Sequence, residues 1–268
     1  MSTHEVRPEI NTTVPSSARV YNYLLGGKEH FPADRAVGDA IAEQVPTIRT
    51  MFRGQRAFLA RTVRYLVGEA GIRQLLDIGT GIPSAGNVHD VAHELAPESR
   101  VLYVDNDPVV LAHARALLSS TPEGRVRFIL ADLREPEAIL GDPTLSQTLD
   151  LSQPVGLILI GIMHHLRDDD DPRRIVATLV DALAPGSYLV LSQSSQDFDP
   201  EAMRGLAAAS EQSGIPNVPR TLAETRAFFA DLELVEPGLV PLAAWRPDPG
   251  SQEDPHSVYA YGGVARKP

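Results

Sequence analysis

A glycine turn follows the first apolar segment of the chain, and its residue types suit a nucleotide-like ligand. The segment Leu75-Leu76-Asp77-Ile78 leads into Gly79-Thr80-Gly81. Because glycine has no Cβ, the backbone of such a turn can approach a ligand closely. A dinucleotide fingerprint would have a third glycine before the helix, but Pro83 and Ser84 occupy that stretch, so a diphosphate site is poorly supported. A tight turn with a purely structural role is the alternative.

Two acids follow at the ends of the next two apolar segments. Asp105 comes after the apolar residues 101–104 and precedes Asn106 and Asp107. An acid at the end of a second strand can accept hydrogen bonds from both hydroxyl groups of a ribose. Asp132 stands at the end of the following segment, where its carboxylate can accept from an adenine amino group. Together with the glycine turn, these acids predict an adenosine-type ligand. Alternatively, Asp105 and Asp107 only cap the next helix, a role we assign to Asp107, and Asp132 is a loop carboxylate without a partner.

Candidate reaction chemistry lies in a pair of adjacent histidines. His164 and His165 follow Gly161 at the end of a fourth apolar segment. An imidazole titrates near neutral pH, so either histidine can serve as a general base. The alternative to a catalytic role is that the two rings pack beneath the ligand and bind backbone carbonyls. Adjacent histidines point in different directions and no third ligand stands at a suitable spacing, so we predict no metal site.

An amino-terminal stretch carries polar and aromatic groups that suit a small acceptor. Tyr21, Asn22 and Tyr23 would become lid residues if their helix folds over the ligand, and Trp245 in a late loop is a candidate wall of the same pocket. We therefore group Tyr21 and Tyr23 with the candidate catalytic residues and Asn22 and Trp245 with the acceptor contacts. Ordinary core tyrosines before a Gly-Gly helix terminator are the alternative.

The elements that must position these residues follow from the hydrophobic pattern. A helical pattern runs from residue 16 to about 67 and includes one long amphipathic helix. Its arginines, Arg56 among them, fall away from the apolar stripe, which favours a solvated face over an anion or substrate contact. Short apolar runs then alternate with helical stretches, which predicts a doubly wound α/β sheet. The runs are 74–78, 100–105, 126–131, 155–162 and 187–192, and two more near 232–235 and 258–264 would form an antiparallel pair at the sheet edge.

In this order, the residues resemble the class I S-adenosylmethionine-dependent methyltransferases. The resemblance covers 74–192 and includes Asp77-Ile78-Gly79-Thr80-Gly81, both later acids and Leu183-Ala184-Pro185-Gly186. More narrowly, residues 17–28, the arginine-bearing helix and residues 77–87 are similar to an actinobacterial methyltransferase family formerly catalogued as a domain of unknown function. The resemblance implies a Rossmann-like sheet of seven strands, mostly parallel with an antiparallel edge strand, beneath an N-terminal helical cover.

The same resemblance implies S-adenosylmethionine as the cofactor and assigns residues to its parts. It places Asp77, Gly79 and Gly81 around the methionine part, Asp105 on the ribose and Asp132 beside the adenine. The neighbouring strand-end residues complete the expected cofactor contacts, namely Thr80, Asn106, Leu133 and Gly161.

The composition of the chain limits its possible fold class, partners and location. A chain of 268 residues with 43% hydrophobic and 22% charged residues has a globular composition. We expect one compact domain, in which residues 1–70 form an arm and helical cover and residues 71–268 the methyltransferase core. The formal net charge of −11 disfavours nucleic acid as a partner. The absence of cysteine excludes disulfides and thiolate chemistry. Without an apolar leader or a membrane-length run, we expect a cytoplasmic protein that does not enter membranes.

Methyl transfer to a small-molecule acceptor is the function that these observations favour. Holding nucleophile, methyl carbon and sulfur in line supplies much of the acceleration, and a base is required only if the acceptor arrives protonated. The identity of the acceptor, the atom methylated and the oligomeric state stay open. An NAD(P)-dependent oxidoreductase would share the glycine turn and the ribose acid, and a regulatory protein that binds the cofactor without catalysis fits the same residues.

Overall fold

The computed structural model describes residues 11–84, 86–117, 120–251 and 254–268. Residues 1–10, the first part of the predicted arm, lie outside the described residues. The strands are β1 Gln74–Ile78, β2 Arg100–Asp105, β3 Arg125–Leu130, β4 Gly156–Leu159, β5 Tyr188–Ser194, β6 Glu233–Leu234, β7 Val240–Pro241 and β8 Ala260–Arg266.

These strands form one sheet in the order β3-β2-β1-β4-β5-β8-β6, with β7 also paired to β8. Strands β1 to β5 are parallel, and β8 is antiparallel to β5, β6 and β7. The predicted doubly wound sheet is therefore confirmed. One detail differs: two short strands pair with β8 where a single strand was expected, so the described residues form eight strands, and β8 lies inside the edge. Gly238, with a φ of +91°, separates the two short strands.

Helices flank the sheet on both faces. Several of them begin with a proline in the first turn, where its missing N–H leaves no hydrogen bond unmade. None within the described part of the chain has the length and hydropathy of a membrane span. The α-helices are α1 Ser17–Leu24, α2 Pro32–Gln44, α3 Ile48–Arg64, α4 Val88–Leu95, α5 Pro108–Leu117, α6 Pro136–Gly141, α7 Pro143–Thr148, α8 Pro172–Asp181, α9 Pro200–Gln212 and α10 Leu222–Arg226.

The core divides between the two faces of the sheet, because successive side chains of a strand point to opposite faces. Leu75 and Ile158 belong to one buried cluster, whereas Leu76 and Leu157 belong to the other. The first cluster also contains Phe58 of α3. Asp77 shares the face of Leu75 by the same alternation, so its carboxylate lies on the side of the sheet that α3 covers.

The amino-terminal cover consists of three α-helices, and the predicted long amphipathic helix is α3, which continues into a π-helical turn at Tyr65–Glu69. Gly26 ends α1 with a φ of +83°. A buried ion pair joins Arg19 of α1 to Asp34 of α2 at 3.3 Å. The hydroxyl of Ser16 donates a hydrogen bond to Asp107, which accepts from the backbone of Val109 at 2.8 Å and so caps α5 as predicted. The cover is thus fastened to the loop that follows β2.

Candidate active site

A cavity of about 400 Å³ opens at the carboxyl ends of the parallel strands. Residues that follow β1 to β4 line one side of it, together with Ser192 and Ser194 of β5, and α1, α3 and α9 contribute the opposite side. Loops at the carboxyl edge of an open α/β sheet are the usual location of its ligand site. The cavity gathers most of the residues that the sequence singles out.

The glycine turn after β1 is bound directly to the acid at the end of β2. The backbone N–H of Gly81 donates to Asp105 Oδ2 at 2.8 Å, and the N–H of Asp107 donates to Oδ1 at 3.0 Å. Burial raises the pKa of Asp105 to about 6 despite these hydrogen bonds. Gly79 has a φ of +79°, and a Cβ there would come within 2.7 Å of Ile162. Glycine at this position therefore lets β1 and the β4 loop approach each other.

Asp132 is held in place by two neighbours. Arg134 donates to its two carboxylate oxygens at 3.0 and 2.9 Å, and Asn106 Nδ2 donates at 3.0 Å. Burial opposes ionisation of Asp132, but these hydrogen bonds outweigh it and keep its pKa below the ordinary value. The group is consequently a fixed carboxylate beside Leu133, which also lines the cavity.

Asp77 and Arg56 both line the cavity and carry opposite charges that affect each other. Burial raises the pKa of Asp77 to about 7, the positive charge of Arg56 opposes the rise, and the negative charge of Asp105 adds to it. Arg56 lies on α3, lines the cavity and donates to the Gly86 carbonyl at 2.9 Å. The prediction of a solvated face for this arginine is wrong. Phe52, which lies four residues earlier and therefore on the same helix face, also lines the cavity.

The two histidines follow β4 in a 3-10 turn, and both line the cavity. His165 Nδ1 lies 2.7 Å from the Pro216 carbonyl, so Nδ1 carries a proton and Nε2 is left as an acceptor. Burial lowers the pKa of His165. Burial, followed by the neighbouring His165 and Arg220, lowers the pKa of His164 well below its ordinary value. Both rings are therefore uncharged at neutral pH.

The loop before the histidines is also closely packed. Gly161 has a φ of +73°, and its N–H donates to Ser192 Oγ at 3.0 Å. A Cβ at this position would meet the amide nitrogen of Gln55 at 2.4 Å. Gln55 and Ser192 line the cavity, although neither was singled out from the sequence.

Of the four site residues predicted on the amino-terminal stretch and the late loop, Tyr21 alone lies among the described residues that line the cavity. Its hydroxyl donates to the Phe52 carbonyl at 3.5 Å, and burial raises its pKa to about 12. The phenol therefore stays protonated at neutral pH.

Tyr23, Asn22 and Trp245 lie outside the described cavity lining. The hydroxyl of Tyr23 donates to Asp39 at 2.6 Å, away from the sheet. Asn22 Oδ1 accepts from the backbone of Glu29 at 3.0 Å and stabilises the turn after α1. Trp245 is fully buried in the core, where its ring meets Phe58 edge to face at 5.7 Å. These three residues have structural partners of their own, so we do not include them in the proposed site.

The comparison with protein families decides the identity of the chain. A family model described as S-adenosyl methyltransferase matches residues 3–268. The chain belongs to the S-adenosyl methyltransferase family. The protein is accordingly an S-adenosylmethionine-dependent methyltransferase, and the cofactor that the resemblance implies is confirmed. An oxidoreductase with the same glycine turn is not supported. Among curated proteins, no sequence matches the chain.

Solved structures agree with this family. A DUF574 family protein from Streptomyces avermitilis is 45% identical with a TM-score of 0.94, and the match covers 97% of this chain and 100% of that one. A candidate methyltransferase from Thermobifida fusca is 40% identical with a TM-score of 0.89, and the match covers 99% of each chain. An S-adenosylmethionine-dependent methyltransferase from Anabaena variabilis shares the fold at 13% identity and a TM-score of 0.50, over 97% of this chain and 99% of that one.

Proposed function

We propose that this methyltransferase binds S-adenosylmethionine along the ends of β1, β2 and β3 and methylates a small-molecule acceptor held beneath the amino-terminal helices. The observation that carries the proposal is the meeting of Asp77, Asp105 and Asp132 in one cavity around the glycine turn. The cofactor supplies a sulfonium methyl group, and the residues of the chain bind and orient both reactants.

The adenosine part of the cofactor fits the carboxylates of β2 and β3. Asp105 has two oxygens aimed at the loop and can accept from the two ribose hydroxyls. Asp132 can accept from the adenine amino group, and Leu133 offers an apolar surface to the ring. The hydrogen bonds from Arg134 and Asn106 hold the Asp132 carboxylate in one orientation before the ligand arrives.

The methionine part of the cofactor is a zwitterion, and Asp77 and Arg56 offer the complementary pair of charges. Asp77 would hold the ammonium group and Arg56 the carboxylate. The pKa of about 7 shows that neighbouring groups do not fully offset the cost of burying the Asp77 carboxylate in the free protein. An ammonium group beside it would offset that cost. The burial that raises this pKa therefore supports a site prepared for a cation.

His164 is the residue that we assign to accept a proton from the acceptor. Its ring lines the cavity and is uncharged at neutral pH, so one of its two nitrogens has no proton and can accept one. An uncharged imidazole also avoids a second positive charge beside the sulfonium. His165 donates to the Pro216 carbonyl and so fixes the turn that carries both rings. We assign to Tyr21 the positioning of the acceptor from α1.

Calorimetric titration tests the proposed binding. We expect the wild-type protein to bind S-adenosylmethionine and S-adenosylhomocysteine, to bind NAD far more weakly, and to lose at least tenfold in affinity for both sulfur ligands in Asp105→Asn and Asp132→Asn. Asp248→Asn is the matched control, because Asp248 is exposed and pairs with Arg64. Unchanged affinity in both cavity variants would refute the assignment of the adenosine site.

A pair of ligands isolates the methionine end. 5′-Methylthioadenosine has the adenosine and sulfur of S-adenosylhomocysteine but no amino acid group. Arg56→Met should lower the affinity for S-adenosylhomocysteine at least tenfold and leave the affinity for 5′-methylthioadenosine unchanged. Equal losses for the two ligands would show that Arg56 acts on the cavity as a whole rather than on the carboxylate.

A further inference from the structure

Core side chains line part of the cavity. Contributions come from α3, α9, the residue after β7 and the residue two positions before β8. All of the side chains that form this wall belong to the first buried cluster of the core: Ile48, Met51, Leu59, Leu206, Leu242 and Val258. We call these six residues the apolar wall.

The charged groups that line the cavity are few. Among the described residues that line the cavity, the aspartate and arginine side chains are Asp77, Asp105 and Asp132 on the strands or the loops that follow them, Arg134 beside Asp132, and Arg56. The proposed function assigns each of these to the cofactor or to a partner. The apolar wall contains no carboxylate, ammonium or guanidinium group that could pair with a charged acceptor. A charge placed there would lose its hydration without compensation.

Uncharged polar groups also line the cavity. His164 carries a neutral imidazole, and Tyr21 carries a neutral phenol. Ser194 and Asn217 are joined by a hydrogen bond of 3.3 Å and line the same cavity. A small number of neutral donors and acceptors combined with an apolar wall is the pattern of sites that orient one polar group of a mainly apolar ligand.

We propose that the methyl acceptor is an uncharged, mainly apolar small molecule that packs against the apolar wall and presents a hydroxyl group to His164. This inference rests on the proposed function, because it assigns the charged groups of the cavity to the cofactor or to a partner. The acceptor oxygen forms a bond to the methyl carbon, the carbon–sulfur bond breaks with its electron pair remaining on sulfur, and the hydroxyl proton passes to the free nitrogen of His164.

Two matched probes test the class of acceptor. 2-Naphthol is an uncharged hydroxylated ring system, and 6-hydroxy-2-naphthoate is the same molecule with a carboxylate. Each is titrated into wild-type protein saturated with S-adenosylhomocysteine at pH 7.5. We expect 2-naphthol to bind at least tenfold more tightly. Equal or tighter binding of the carboxylate, or no binding of either probe to the loaded protein, would overturn the proposal.

A variant pair locates the binding to the apolar wall. Met51→Asp should lower the affinity for 2-naphthol at least tenfold without changing the affinity for S-adenosylhomocysteine. Met51→Leu should leave both affinities unchanged. Unchanged 2-naphthol binding in a folded Met51→Asp protein would place the probe elsewhere and overturn the assignment. The comparison of the two probes on the wild-type protein stands even if this variant fails to fold. A wild-type protein that does not bind S-adenosylhomocysteine at all would refute the proposed function, a failure that is seen before any probe is added.

Discussion

Replacing Asp77 by asparagine should make the free protein more stable while it weakens cofactor binding. Burial raises the pKa of this carboxyl from 3.8 to about 7. The folded protein therefore keeps a proton that the unfolded chain releases above pH 3.8. Because the folded state binds more protons between pH 3.8 and about 7, stability falls as the pH rises through this window and is constant above it. Asparagine carries no charge at any of these pH values and removes the effect.

The size of the gain follows from the same pKa values. The difference between 3.8 and about 7 corresponds to about 4 kcal/mol at pH 8, where the folded protein must bury a carboxylate, and to about 2 kcal/mol at pH 5. Urea unfolding of wild type and Asp77→Asn at the two pH values measures both differences. Asparagine cannot hold the methionine ammonium group by charge, so affinity for S-adenosylhomocysteine should fall at least tenfold in the same variant.

Asp132→Asn is the matched control within the same cavity. Its carboxylate has a lowered pKa because Arg134 and Asn106 donate to it, so asparagine there should not stabilise the protein at pH 8. Two results would refute the reasoning for Asp77: a variant no more stable than wild type at pH 8, or a gain that is as large at pH 5 as at pH 8. Either would show that the buried carboxylate is not a source of instability in the free protein.

Three further outcomes follow from the structure. S-adenosylhomocysteine should bind at least tenfold more weakly at pH 5 than at pH 8, because protons compete for Asp77 and Asp105, whose pKa values are about 7 and about 6; calorimetry that gives a constant affinity would contradict this. Arg19→Met should lower the unfolding free energy by about 3 kcal/mol, since it leaves the buried Asp34 without its ion pair, and urea unfolding of Arg19→Met/Asp34→Asn should recover part of the loss. In nitrogen-15 NMR spectra, the ring of His164 should still be neutral at pH 6.5, because burial lowers its pKa well below this value; a titration near pH 6.5 would exclude the assigned environment.

The sheet was largely predictable because parallel strands are apolar on both faces and end in recognisable turns. The limits of β1 and β2 agree with the predicted 74–78 and 100–105. The amino-terminal cover was less predictable, because one helical pattern does not show where a chain turns back on itself. Gly26, Pro32 at the first position of α2 and Pro46 before α3 divide this pattern into three helices. Their effect depends on the packing of the resulting segments against the sheet.

The cofactor side of the cavity was predictable for a topological reason. Acids that follow consecutive parallel strands must meet at one edge of the sheet, whatever the helices do. On the cover helices, by contrast, the face that lines the cavity is set by tertiary packing. Tyr21 faces the cavity while Tyr23, two residues later, points away from it. Arg56 was missed for the same reason, although its spacing from Phe52 places both on one helix face.

The most direct test of the account is a crystal structure of the protein with S-adenosylhomocysteine. The account predicts the ligand at the carboxyl edge of the sheet, with ribose hydroxyls at about 2.7 Å from Asp105, the adenine amino group on Asp132, and the amino acid end between Asp77 and Arg56. A ligand bound elsewhere, or in this cavity without contact to Asp105, would contradict the central claim that these strand-end carboxylates form the cofactor site.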